Sequence, residues 1–457
     1  MGDFEMEKLY AGRARVDITP KKLPVLVNGQ FEARWFNEIG DPLSVRAFVF
    51  RQGGEYVFLA VVDTCMMSST LIDAAKSLVQ RSTGIPENRM MISATHCHSA
   101  PSVEAILGTP VDEEYAAALP GKIAEAARLA FDGLTEVEAG FGEGEDAQNV
   151  FCRRFIMKPG TAWTVNPAFT GSPGDIAQMN PFGIEKDAVC STDVADPCVR
   201  ILAFRTPDGT PYSLLGNYST HYAEEEAISA DYFGVFCDRM AKGLHAPEEF
   251  TAIMSNGTSG DCNCIDFLGN PKRKFGKISV GESTARVALE AYQKIQFNPM
   301  PCLDMIEEKL TLGIRQPTAD QLRQAEVYLA ERNIDSIEKL KDYDDAYAWE
   351  SVVLSKLPST REVKIQTIRI GDTVIVALPM EVYTATGRDL RFMSPFPHTI
   401  VISLANGCNG YMPTEESFRL GGYTTWRART SCLEPLAERK VRRLVYQMFN
   451  RLAEREA

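Results

Sequence analysis

Short apolar runs alternating with amphipathic helical patterns constrain this chain more than any other feature. Seven runs of five to eight residues lie at 56–63, 89–95, 199–204, 213–218, 251–255, 373–378 and 399–404. Such short runs read as buried strands. Between many of them apolar residues recur at helical spacing, most clearly over 71–81, 120–131, 234–244, 284–295 and 433–452. Buried strands interleaved with helices predict an α/β fold, a mixed, layered sheet-and-helix domain.

Two segments break the rhythm. Residues 158–197 are rich in Gly, Pro and Asn and lack periodicity, so they read as one long ordered loop beside the functional site. Residues 318–357 are charged and helix-forming and read as an inserted helical hairpin at the periphery. No composition shift or linker divides the 457 residues, so 1–457 reads as a single domain carrying these two insertions, with no internal repeat.

Charge removes some partner classes. The net charge is −13, and Lys and Arg form no long basic run, which argues against a nucleic-acid groove. No stretch reaches the roughly 18 apolar residues of a membrane span. The opening Met1-Gly-Asp-Phe-Glu-Met-Glu7 lacks the basic start and apolar run of a secretory leader. The expectation is a cytoplasmic protein without stable membrane association, its eleven cysteines reduced, acting on a small-molecule substrate; self-association into a homo-oligomer is left open.

Chemistry concentrates where apolar runs end. Two of the five histidines stand in Ser93-Ala-Thr-His-Cys-His-Ser99, directly after an apolar run. Alternate strand residues face one side, so His96 and His98 are predicted to converge, with Thr95 and Ser99 orienting the rings. The same residues also suit a pair of buried, hydrogen-bonded histidines. A second run ends in Leu214-Leu-Gly-Asn-Tyr-Ser-Thr-His221, and a third in Thr373-Val-Ile-Val-Ala-Leu-Pro-Met-Glu381. Glu381 suits a helix start, where the dipole favours a carboxylate, and equally a site of two histidines and one glutamate for zinc. Open α/β sheets place their sites at such carboxyl ends of strands. Tyr411 and Tyr423 follow on Gly-rich loops. Cys262 and Cys264 have no second cysteine pair at metal-binding spacing.

In their order along the chain these segments resemble the catalytic domain of the neutral/alkaline, non-lysosomal ceramidase family. The resemblance rests on Ala11-Gly-Arg-Ala-Arg-Val-Asp-Ile-Thr-Pro20, Asp41-Pro-Leu-Ser-Val-Arg-Ala47, Ala94-Thr-His-Cys-His-Ser99, Asn217-Tyr-Ser-Thr-His221, Asn256-Gly-Thr-Ser-Gly-Asp261, Leu378-Pro-Met-Glu381 and the Tyr423 loop. It implies one Zn2+ held by His96, His221, Glu381 and Tyr423, with Tyr411 as the alternative phenol or a catalytic group. It further implies His98 as the proton-transferring residue. Arg153 or Arg154, in Asn149-Val-Phe-Cys-Arg-Arg154, would match a substrate-facing arginine. The implied activity is hydrolysis, with metal-activated water attacking an amide-type carbonyl.

Departures from the family pattern shift the expected substrate. Asn263 stands where the family has a serine, and Thr424-Thr-Trp426-Arg427 replaces its Tyr-Gly-Pro. Asn166, Asp175 and Asn180 in the long loop predict a polar pocket. The expectation is therefore a small soluble substrate. Two alternatives stand beside it: a zinc hydrolase or lyase for a carbohydrate-like or lactone substrate, and a non-catalytic metal-binding protein on the same scaffold.

Overall fold

The structure, a computed structural model, describes residues 7–172, 174–224, 226–269 and 274–455. Three sheets share one topology. The first holds β1 (Tyr10–Asp17), β2 (Ser44–Gln52), β3 (Glu55–Val62) and β4 (Met90–Ala94), with the short Thr135–Glu136 strand at its edge. The second holds β5 (Glu138–Glu145), β6 (Cys198–Arg205), β7 (Pro211–Tyr218) and β8 (Thr251–Asn256). The third holds β9 (Leu303–Gly313), β10 (Thr360–Ile370), β11 (Thr373–Ala377) and β12 (His398–Ile402).

In each sheet the first three strands pair antiparallel and the fourth lies parallel to the third. A parallel neighbour cannot be reached by a tight turn, so a helix makes each crossover. These helices are Ser69–Thr83, Asp231–Gly243 and Thr384–Phe392. Two of the tight hairpins turn on left-handed glycines, Gly53 at φ +57° and Gly371 at φ +59°. The sequence shows no repeat because the three units share pairing and alternation rather than residues.

Alternation along the strands assembles the core. Phe48, Phe50, Leu59, Val61 and Met91 of the first sheet meet Leu202, Phe204, Leu215 and Ile253 of the second and Ile368, Ile375 and Ile400 of the third. The intervening residues, such as Val45, Ala47, Phe58, Ala60 and Val62, face the opposite way onto helices. The third sheet turns Val374, Val376 and Val401 toward Val441, Val445 and Met448 of helix Ala437–Glu454. A one-residue slip in any strand would exchange these two faces, so burial on both sides fixes the register.

The segment 158–197 is not a structureless loop. Strand Arg154–Met157 enters it and pairs with Ala177–Met179 and Ala188–Ser191 in a small sheet, and a short helix, Pro167–Thr170, lies between. The hairpin at 318–357 forms helices Ala319–Glu331 and Tyr343–Ser355. Far from lying at the periphery, it buries Leu329, Tyr347 and Ala348 with Phe169 and Trp426 in a separate core, and Tyr343 reaches the main cavity. The eleven cysteines are free. Among the described residues, no helix is long and apolar enough to cross a membrane.

One buried charge is poorly compensated. Lys76, fully buried on the first crossover helix, has no hydrogen-bond partner for its Nζ, and the Glu307 carboxylate is 3.8 Å away. Burial lowers its pKa from about 10.5 to about 8, with Glu307 opposing only in part. Between these values the unfolded chain binds the extra proton, so stability should rise with pH from about 8 to about 10.5. Below pH 8 the penalty is complete. Lys76→Met should therefore raise stability at pH 7 by up to about 3 kcal/mol and remove the alkaline rise, as read by urea unfolding at several pH values. A variant less stable than the parent, with the same pH slope, would contradict this reading.

Candidate metal centre and cavity

Strand β4 ends at Ala94, and His96 follows in a left-handed conformation, φ +70°. Convergence of His96 and His98 therefore comes from this turn and not from strand alternation, which stops two residues earlier. The backbone N–H of His96 donates to the Thr64 carbonyl, just past β3, at 2.9 Å. β7 ends at Tyr218, three residues before His221, and β11 ends at Ala377, four residues before Glu381. One chemical group thus arrives from each sheet.

The groups meet closely. His96 Nε2 lies 3.1 Å from His221 Nε2, 3.3 Å from His98 Nε2 and 3.3 Å from Glu381 Oε2. All four residues are at most 5 % exposed. His96 Nδ1 lies 2.7 Å from the Cys65 carbonyl, which can only accept, so Nδ1 donates to it and Nε2 is the ring nitrogen turned toward the cluster. Burial first, then Arg153, His96 and His98, hold the His221 pKa well below its ordinary value and keep that ring neutral. Burial would raise the Glu381 pKa, but His96, Arg153 and His98 outweigh it and the net shift is downward. Glu381 Oε2 completes no hydrogen bond. Two imidazole Nε2 atoms and a carboxylate oxygen thus face one point, and His96, His221 and Glu381 are grouped as metal ligands would be. Cys65 with His96 and His98 forms a second such group, but the Cys65 thiol is 3.7 Å from the His96 nitrogen already committed to the Cys65 carbonyl.

The two arginines part company. Arg153 lines the cavity and donates to the Gly260 carbonyl at 3.0 Å and to Tyr411 Oη at 3.3 Å. Burial works against its charge, yet Tyr423, Tyr411 and Glu381 more than offset this and raise its pKa. Arg154 turns away from the cavity and donates to the Ser417 and Gly421 carbonyls, bracing the loop that carries Tyr423. Tyr411 is the register partner of Glu381 in a short parallel pair, and its ring lies 6.0 Å from that of Tyr423. Both phenols line the cavity.

The cavity holds about 570 Å³. Its wall is less polar than the sequence suggests, because Phe31, Met66, Leu107, Trp163, Met179 and Phe182 contribute to it. Asn166 caps a helix, and Gln178 spends its amide on the backbone of Trp163 and Met179. Of the three polar residues expected there, Asn180 alone lines the cavity. Asp175 points to the Tyr423 loop, where its Oδ1 accepts from Gly422 N at 2.7 Å and Trp426 Nε1 at 2.9 Å. Sequence reasoning missed Tyr222, which stacks on His98 at 3.9 Å between ring centroids. It also missed Gly29, where an added Cβ would fall 2.2 Å from His98 Nδ1. Tyr222 directly follows His221, so its position was available as a signal; Gly29 carried none.

Comparison of the whole fold identifies the architecture. Neutral ceramidase from Pseudomonas aeruginosa superposes with a TM-score of 0.71 at 17% sequence identity, over 98% of this chain and 75% of that one. The fold is that of the neutral ceramidases. A ceramidase complexed with C2 matches equally, with a TM-score of 0.70 at 16% identity over 98% of this chain and 76% of that one. By sequence, no family model and no curated protein matches. The ceramidase-like fold agrees with the resemblance read from the ordered motifs, and at this identity the likeness concerns architecture.

Asp175 provides a check on how the Tyr423 loop is held. Asp175→Ala leaves the Gly422 N–H and the Trp426 indole N–H without their acceptor, so unfolding free energy should fall by about 1–3 kcal/mol. A change below about 0.5 kcal/mol in urea unfolding would mean that the loop stands without this brace.

Proposed function

We propose that the protein is a zinc-dependent hydrolase that cleaves an amide-type bond in an N-acyl compound. The observation that carries this reading is the convergence of His96, His221 and Glu381, one from each sheet, on the head of a cavity large enough for a small molecule. Nitrogen and oxygen donors in this number suit zinc. Zinc in such a site supplies Lewis acidity and a water acidic enough to ionise near pH 7.

The chain's own groups do the rest. His98 Nε2, 3.3 Å from His96 Nε2, is placed where it would take a proton from the attacking water and return it to the leaving nitrogen. Register beside Glu381 and the hydrogen bond from Arg153 favour Tyr411 as the phenolic ligand, which leaves Tyr423 to face the substrate carbonyl. This exchanges the two tyrosine roles implied by the sequence resemblance. Arg153 holds Tyr411 in place and adds positive charge where the oxyanion develops. The stack of Tyr222 on His98 fixes the ring plane.

Metal analysis and turnover separate these roles. Protein purified without a tag should carry about one zinc per chain. His96→Ala, His221→Ala and Glu381→Ala should lose it, whereas His98→Ala should keep it and lose turnover of N-acyl amides by on the order of 10²–10⁴-fold. A folded, metal-free parent protein, or equal metal loss in His98→Ala and His96→Ala, would overturn the assignment.

A further inference from the structure

The reaction cavity does not end in open solvent on every side. A second cavity of about 400 Å³ adjoins it, and the two share Gln30, Phe31 and Tyr343 as walls. The Phe31 and Tyr343 rings meet edge to face at 4.4 Å between centroids. Tyr343 also meets Trp163 edge to face at 4.3 Å. Phe31 and Tyr343, the latter 39 % exposed, thus stand between the two cavities, with Trp163 against Tyr343 on the reaction-cavity side. The reaction cavity is largely apolar near these rings, while the second cavity carries Glu32, Arg34, Lys341 and Asp342.

Tyr343 stands at the start of helix Tyr343–Ser355, on the inserted hairpin, and the hairpin is firmly fixed. Asp342 caps that helix through its side chain. Arg332 pairs with Asp342 at 2.8 Å and with the buried Asp345 at 2.7 Å. Asp344 Oδ1 accepts from Asn166 N at 3.0 Å, which ties the hairpin to the segment forming another cavity wall. The backbone at position 343 is therefore held by ion pairs within the hairpin and by one tie to the 158–197 segment.

We propose that Tyr343 is the specificity-determining residue that limits the length of the acyl group, so that this site accepts short or compact acyl chains and excludes long linear ones. A long alkyl chain entering from the metal end meets Phe31 and Tyr343, the rings that wall both cavities. To continue, it would have to displace these rings from their edge-to-face contacts and then lie among the acidic and basic side chains Glu32, Arg34, Lys341 and Asp342, which solvate alkyl surface poorly. A short acyl group ends before these rings and gains the apolar wall without that cost. The inference rests on the hydrolase reading for its substrate class, but it concerns the shape of the cavity and is tested apart from turnover.

The test compares the parent with Tyr343→Ala and Tyr343→Phe, all zinc-loaded. It uses acetyl, butyryl, octanoyl and palmitoyl amides of one amine as substrates. Equilibrium binding of the four corresponding free carboxylic acids is measured by tryptophan fluorescence on the same proteins. The parent should favour the two short members by about ten-fold or more over palmitoyl, in kcat/KM and in affinity. Tyr343→Ala should raise the long-to-short ratio by about ten-fold in both readouts, and Tyr343→Phe, which keeps the ring, should retain the parental profile. If no protein turns over any amide, the hydrolase reading fails and the length limit is decided by the binding profile alone. Equal length profiles for the parent and Tyr343→Ala would overturn the proposal, as would a parent that binds the palmitoyl member as well as the acetyl one.

Discussion

Four residues at the exit of β12, 403–406, hold the three sheets in register with one another. Ser403 N donates to the Asn256 carbonyl at the end of β8, and Ser403 Oγ donates to the Gly257 carbonyl at 2.7 Å. Leu404 N and Ala405 N donate to the carbonyls of Met380 and Leu378, on the segment leading to Glu381. The Leu404 carbonyl accepts from Ala94 N, and Asn406 N donates to the Ile92 carbonyl of β4, the strand leading to His96. The segment must turn between three directions within four residues. Leu404 and Asn406 do so in left-handed conformations, φ +53° and +65°. For a leucine that conformation is unfavourable, and it persists because the surrounding hydrogen bonds over-determine it.

Everything chemical follows from this junction. Each sheet alone ends in a loop with one interesting side chain. Bound together, the loops bring two imidazoles and a carboxylate within 4.8 Å of one another, a donor set that suits a metal ion. A polar chain backs the junction: Asn406 Nδ2 donates to Gln366 Oε1, and Gln366 Nε2 donates to Glu307, the carboxylate nearest Lys76. The buried lysine is thus the far end of a network that begins beside the strand leading to His96.

Much of this was legible in the sequence. Apolar runs of five to eight residues marked the strands, and His96, His221 and Glu381 each stand a few residues beyond one of them, where α/β sheets expose their chemistry. Other features depend on contacts far apart in the chain and leave no local trace. The left-handed turns at His96 and Leu404 are held by partners more than thirty and more than twenty residues away, and nothing in their own side chains calls for them. Asp175 looked like a pocket residue because it is polar and lies in a Gly-rich stretch, yet it serves backbone and indole donors nearly 250 residues later. The hairpin at 318–357 was readable as helices from its pattern, but the position of Tyr343 against Phe31 and Trp163 is set by tertiary packing.

The central claim is that the three sheets exist to assemble one nitrogen-and-oxygen metal centre. X-ray absorption at the zinc edge of the purified protein tests it most directly. The expected spectrum shows two imidazole nitrogens and oxygen neighbours at about 2.0–2.2 Å with no sulfur, and the His221→Ala protein, having lost the metal, gives no such spectrum. A sulfur neighbour near 2.3 Å would place the metal on Cys65 instead, and an unchanged spectrum in His221→Ala would take His221 out of the centre.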